Sequence, residues 1–178
     1  MAAIKPADVV AYLNTIDQAT TPAQKGTLLE DLVRAMIASI PGVQFSEGRI
    51  RNTFNSEEID LCFWNQGAKT GLAVLPQTLL VECKNWSRPV GAMEVCWFLT
   101  KLKRRSLDFG ILVAMNGITG DSDDLSEAHE IGAYFLQQGV RLVVLTRTDL
   151  EQFTTGRALV KLIQQKLLKL TVGFRLQD

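Results

Sequence analysis

Residues 78–85 read Thr78-Leu79-Leu80-Val81-Glu82-Cys83-Lys84-Asn85. The first half is almost continuously apolar, the pattern of a strand buried on both faces. Such a strand should not run on into Glu82 and Lys84 unless charges are wanted there, because burying an unpaired charge is costly. Period-two geometry puts Glu82 and Lys84 on one face, about 7 Å apart along the strand. Trp86 shares their parity, while Val81, Cys83 and Asn85 face the other way.

Upstream, Ile59, Leu61 and Phe63 alternate with Asp60, Cys62 and Trp64 in a second strand, and Val43 and Phe45 open another that reaches about Arg51. The stretch from Asn65 to Pro76 is predicted as a loop. Before these strands, Val9, Val10, Leu13 and Ile16 mark a short helix over 7–18, and Thr20-Thr21-Pro22 breaks it. Thr21 is the expected N-cap of the next helix, with Pro22 in its first position and Gln24 closing a capping box. Its apolar series runs from Leu28 to Ile40, and Pro41-Gly42 ends it.

Downstream, the pattern predicts a helix over about 91–105, a strand from Phe109 to Met115, a helix from Asp123 to Gln138 and a strand from Val140 to Thr146. A turn near Asp149 and a terminal helix within 156–170, in register from Leu159 to Leu170, complete the chain. Short connections favour a meander for the first three strands, and the later strand–helix–strand units favour parallel crossovers. The expected architecture is a three-layer α/β domain: a mixed central sheet flanked by helices on both faces.

At 178 residues the chain fits one domain, with a core over 22–146 and terminal helices at 7–18 and 156–170. Hydrophobic residues at 47% and charged residues at 21% exclude a disordered or collagen-like chain. Nineteen basic and nineteen acidic residues cancel, which argues against a protein that coats DNA through a large basic excess. No apolar run is long enough to span a bilayer, and the start lacks the pattern of a secretory signal. Three cysteines without C-x-x-C spacing point to neither a disulfide framework nor a zinc site. A soluble cytoplasmic protein with free thiols, and no membrane partner, is expected.

If the second and third strands form a hairpin, Asp60 approaches Glu82 across the ladder. Two carboxylates and a backbone carbonyl, such as that of Cys83, suit Mg²⁺, which keeps several waters and takes a phosphate as its remaining partner. The metal acidifies a bound water and offsets charge on a phosphorane-like transition state. Lys84 can orient the water, lower its pKa or stabilise that charge. The alternative is a cross-strand ion pair on a solvated face. Glu30 lies roughly 105° from the centre of its helix's apolar stripe, a flank position from which it can reach a sheet edge, whereas Asp31 is nearly opposite. Thr27 and Glu30 also read as a capping box at a later helix start, with which the Thr21-Pro22 signal competes.

Lys25-Gly26-Thr27-Leu28-Leu29-Glu30, Glu58-Ile59-Asp60-Leu61 and Val81-Glu82-Cys83-Lys84-Asn85-Trp86, in that order, resemble the PD-(D/E)XK nuclease superfamily, in particular its Mrr-like restriction endonuclease branch. The resemblance covers roughly residues 22–146. It implies metal binding by Asp60 and Glu82, a catalytic Lys84 and an accessory acid at Glu30. Many Mrr-like members carry glutamine where Glu82 stands, so this chain keeps the acidic version. The glycine-rich approach to the aspartate seen in many relatives is replaced by Asn55-Ser56-Glu57-Glu58.

Lys101, Lys103, Arg104 and Arg105 cluster at the end of the helix that follows the ExK strand. They complement a helix C-terminus, or serve as phosphate contacts supplying local affinity that the neutral chain lacks. Arg49, Arg51 and Arg88 are further candidate contacts. Trp86 packs at a strand end or stacks on a base. His129, the single histidine, has no recognisable partner, so histidine-based chemistry is not indicated. Asp121, Asp123 and Asp124 read as helix N-caps rather than a calcium loop. Cys62 and Cys83 should lie on opposite sheet faces, where no disulfide can form.

The leading expectation is a Mg²⁺-dependent (or Mn²⁺-dependent) phosphodiesterase, a DNA endonuclease in which Asp60 and Glu82 hold the metal. The alternatives are a nuclease fold that no longer cuts and serves in binding or assembly, or a structure-selective junction resolvase. The terminal helices are candidate surfaces for a homodimer, or equally elements that complete the core.

Overall fold

The computed structural model describes residues 4–51, 57–119, 127–173 and 176. Asn55-Ser56, the Asp121, Asp123 and Asp124 group and the expected helix start at Asp123 lie outside them. Two helices lead, α1 (Pro6–Gln18) and α2 (Pro22–Ala38), followed by strands β1 (Val43–Arg51), β2 (Glu58–Asn65) and β3 (Thr78–Lys84). Then come α3 (Ala92–Arg104), β4 (Phe109–Ala114), α4 (Glu127–Gln137), β5 (Arg141–Leu145), α5 (Arg147–Glu151) and α6 (Gly156–Gly173).

The capping box forms as its residues predict. The Gln24 N–H donates to Thr21 Oγ1 at 3.2 Å and the Thr21 N–H to Gln24 Oε1 at 3.4 Å. The chain leaves α2 through Gly42, whose φ of +77° a side chain would resist. The turn expected near Asp149 is the short helix α5, because the Asp149 carboxylate accepts from the Thr146 N–H at 2.7 Å and so caps a helical turn.

The five strands lie in the order β1-β2-β3-β4-β5. The first three form an antiparallel meander, and β3, β4 and β5 run parallel. One face carries α1, α2 and α6, with Leu29, Leu32, Met36 and Ile163 packed against Phe63, Val81 and Ile111. The other carries α3 and α4, with Phe98, Leu99 and Ala128 packed against Leu80, Leu112 and Val144. The fold is thus a three-layer α/β fold with a mixed central sheet, as the residue pattern predicts, and it agrees with the restriction-endonuclease-like fold that the resemblance implies. All six residues of β4 are buried, as a parallel central strand requires. At Gly110 a Cβ would stand 2.6 Å from a Leu102 methyl, so glycine lets α3 sit directly on β4.

Both terminal helices turn apolar faces inward. Val9, Leu13 and Ile16 of α1 and Leu159, Val160 and Ile163 of α6 join the same core, so these faces complete it. Among the described residues no helix is long and apolar enough to cross a membrane.

Candidate active site

The sheet loses its regularity along one row. In β1, Arg49 takes φ +52°, a left-handed conformation that a non-glycine residue adopts at a cost. In β2, Leu61 and Phe63 face the α2 core but Ile59 packs on the α3 side, so the strand rotates at Asp60. The β2–β3 pairing ends at Leu61 and Val81. Beyond it the Cys83 N–H donates to Asp60 Oδ2 at 2.7 Å, so a side chain takes over where the backbone ladder stops. Meanwhile β3 stays paired to β4 through Glu82, Cys83 and Lys84. The antiparallel pair opens into a split at the carboxyl end of β3, the end at which open α/β sheets present their ligand crevices.

Glu82 is 5% exposed. Its Oε1 accepts from Lys84 Nζ at 2.8 Å and from Lys101 Nζ at 3.1 Å, and its Oε2 accepts from Lys101 Nζ at 2.9 Å. Lys101 also donates to the Glu58 carbonyl at 2.8 Å. The Lys84 side chain is 23% exposed and, with Glu82, lines a cleft of about 610 Å³ walled by Met93, Trp97, Thr100 and Ile131.

Burial, and then the charge of Glu82, push the Asp60 carboxyl up to about 6, against relief from the Cys83 N–H and Lys84. Burial acts to lower the Lys84 ammonium, but the Glu82 charge and hydrogen bond, with Asp60, outweigh it and hold the pKa above its ordinary value. Lys84 is therefore a cation at neutral pH. Burial also raises the Cys83 thiol well above its usual range, and its side chain packs in the α2-side core. A contribution from Cys83 to metal binding is thus confined to its backbone. Because the Cys83 N–H points at Asp60, the carbonyl of the same residue faces the same strand edge.

Among the described residues no group of three or more His, Cys, Asp or Glu side chains is placed to hold an ion. Asp60, Glu82 and the Cys83 carbonyl would offer a divalent cation three hard oxygens, a chemistry that fits Mg²⁺ or Mn²⁺ with waters and phosphate completing the shell. The raised Asp60 carboxyl supports the fit, since two crowded carboxylates gain most from a cation between them.

The other residues singled out in the sequence fall around this split. Glu30 reaches the sheet edge from α2 but pairs there with Arg49, at 2.9 Å, rather than joining Asp60 and Glu82. Arg49 also donates to Thr27 Oγ1 at 2.5 Å. Lys101 corrects the expectation of a solvent-facing phosphate contact: it is 4% exposed and directed at Glu82. Arg104 and Arg105 both hold the buried Glu57, at 2.5 and 2.6 Å, and Arg51 holds Glu58 at 2.8 Å. Trp86 packs against the α3-side core, and its ring receives Lys84 and Arg88 at 5.6 and 4.9 Å. His129 is buried in α4, and its Nε2 has no hydrogen-bond partner. Cys62 and Cys83 face opposite cores, and the cysteines are free.

Sequence reasoning missed Asn85, whose amide donates to the Lys25 carbonyl at 3.1 Å and ties the first turn of α2 to the end of β3. The signal that could have found it is an asparagine just past a strand end. It missed Glu57 too, although an acid beside the expected metal ligand was visible.

No curated protein matches the chain. A family model described as restriction endonuclease, of the Mrr catalytic type, matches residues 23–149. That span holds Glu30, Asp60, Glu82 and Lys84 together with all five strands. On that match, the chain belongs to the Mrr-like restriction endonucleases of the PD-(D/E)XK nuclease superfamily.

Proposed function

We propose that the chain is a Mg²⁺- or Mn²⁺-dependent endonuclease that hydrolyses phosphodiester bonds of DNA at the split between β2 and β3. The observation that carries this reading is the convergence of Asp60, Glu82 and Lys84 on that split, with Lys84 opening onto the cleft. Asp60 and Glu82 would hold the metal, with the Cys83 carbonyl as a third oxygen. When bound, the metal supplies charge neutralisation at the phosphate and acidifies a water.

The chain's own residues do the rest. Lys84, protonated at neutral pH, offers an ammonium to a phosphate oxygen and stabilises the charge that builds there as the P–O bond to water forms. It acts as a charge and a positioner of water rather than as a proton acceptor. The attacking water gives up its proton to solvent, the bond from phosphorus to the leaving sugar oxygen breaks, and that oxygen takes a proton from solvent. Met93 and Trp97 offer the neighbouring sugar and base an apolar, aromatic wall. Arg51, Arg104 and Arg105 would contact the backbone once they exchange their carboxylate partners for phosphate, and Arg88, which lies over the Trp86 ring, would join them. Glu30, held by Arg49, is an accessory acid at the margin. Such a chain works in the cytoplasm, alone or as a homodimer.

The test is cleavage of supercoiled plasmid with Mg²⁺ and then Mn²⁺. Nicking or linearisation is expected from the parent chain, with a loss of at least 100-fold in Lys84→Ala. Equal cleavage by Lys84→Ala would refute the assignment.

A further inference from the structure

We propose that Lys101 is a positioning residue for Glu82: a resident counter-ion that fixes the carboxylate in the metal-free protein and competes with a divalent cation for it. This rests on the metal-dependent reading above. Three observations carry it.

The first is placement. Lys101 comes from α3, yet it is buried, and its ammonium donates to both Glu82 oxygens and to the Glu58 carbonyl. A lysine is buried this deeply only when its charge is paired and its donors are used. The second is the position of its partners. Glu58 lies in β2 beyond the last residue paired with β3, and Glu82 lies in β3 beyond the same point. Lys101 therefore spans the split and ties together two strands that have stopped pairing.

The third is a division of labour between the two lysines on Glu82. Lys84 lines the cleft, and Lys101 is not among the lining residues. Lys84 can meet a phosphate, whereas Lys101 lies behind the carboxylate and sees no substrate. With both in place, the charges of Asp60, Glu82, Lys84 and Lys101 sum to zero. A divalent cation must then enter a neutral cluster rather than an acidic one, and at these separations a nearby ammonium costs it affinity.

The test uses the full chain and two readouts besides cleavage. Lys101→Met should bind Mn²⁺ at least tenfold more tightly by calorimetry. A residue that merely supported the fold would lower metal affinity when lost, not raise it. In metal-free protein, the thermal destabilisations of Lys101→Met and Glu82→Gln should be strongly non-additive, the double variant melting well above the sum of the single losses. Where Lys101→Met does not fold, Lys101→Gln serves, since it keeps a donor for the Glu58 carbonyl and removes the charge. Mn²⁺ affinity unchanged or weakened in the variant, or additive melting shifts, overturns the proposal. A parent chain with no affinity for Mn²⁺ or Mg²⁺ would overturn the nuclease reading instead, and the melting cycle would still decide the role of Lys101.

Discussion

Asp60 is the residue whose chemistry most constrains the metal-free protein. Its carboxyl titrates at about 6 in the folded chain, against 3.8 in its absence of structure. Between those values the folded chain holds a proton that the unfolded chain has released. Stability therefore falls as pH rises through that window, and levels off above about 6. Asp60→Asn keeps an oxygen for the Cys83 N–H but removes the buried charge beside Glu82. It should match the parent near pH 4 and exceed it by on the order of 2 kcal/mol at pH 7 in urea unfolding without metal. A stability difference that stays flat between those pH values would show that Asp60 is not held in its neutral form. The same variant should cleave plasmid at least 100-fold more slowly, an activity loss coupled to a stability gain, as expected of a site that keeps like charges close for a cation.

At the scale of elements, the split is built by distortions in neighbouring strands. Arg49 contributes its left-handed backbone, and its bonds to Glu30 and Thr27 offset the strain. Replacing it by alanine removes those bonds but keeps a Cβ in the unfavourable region, whereas glycine removes bonds and strain together. Arg49→Gly should therefore be more stable than Arg49→Ala by about 1 kcal/mol in urea unfolding. Equal stabilities would place no strain at Arg49. The strands themselves are legible in the sequence, because period-two alternation and the turn residues around them are local signals. The Thr21–Gln24 box fixes the start of α2 for the same reason. Lys101 is not legible. On a helical wheel it lies about 110° from the centre of the Val95, Phe98, Leu99 and Leu102 stripe, farther than the exposed Lys103 at about 90°. Only the position of β2 and β3, a long-range fact, turns it inward to a carboxylate. Glu30 shows the same limit: its flank position predicts reach to the sheet edge, but not that Arg49 would meet it there.

The whole molecule is electrically neutral, and its arginines are largely engaged with its own acids. Arg51 holds Glu58, Arg104 and Arg105 hold Glu57, Arg49 holds Glu30, and Arg147 holds Asp17 and Glu151. The arginine pairs beside Glu57 hold its carboxyl below the usual range, through hydrogen bonds to Arg105 and then Arg104. Phosphate must displace these carboxylates to gain the same cations, so only part of the basic surface releases counterions when DNA binds. Binding of duplex DNA by Asp60→Asn, followed by anisotropy across salt concentrations, should report neutralisation of about two to four phosphates, a slope of roughly −2 to −4 in log–log form. Glu57→Gln weakens the hold on Arg104 and Arg105 and should steepen that slope by about 1 to 2. The steepening separates two ways of binding. If it appears, the ion pairs are a reserve that mutes the chain's attraction for DNA, and specificity falls to the split and its cleft. If Asp60→Asn with Glu57 intact already shows a slope near −8, the arginines abandon their carboxylates on contact, and the neutral surface is a property of the free protein alone.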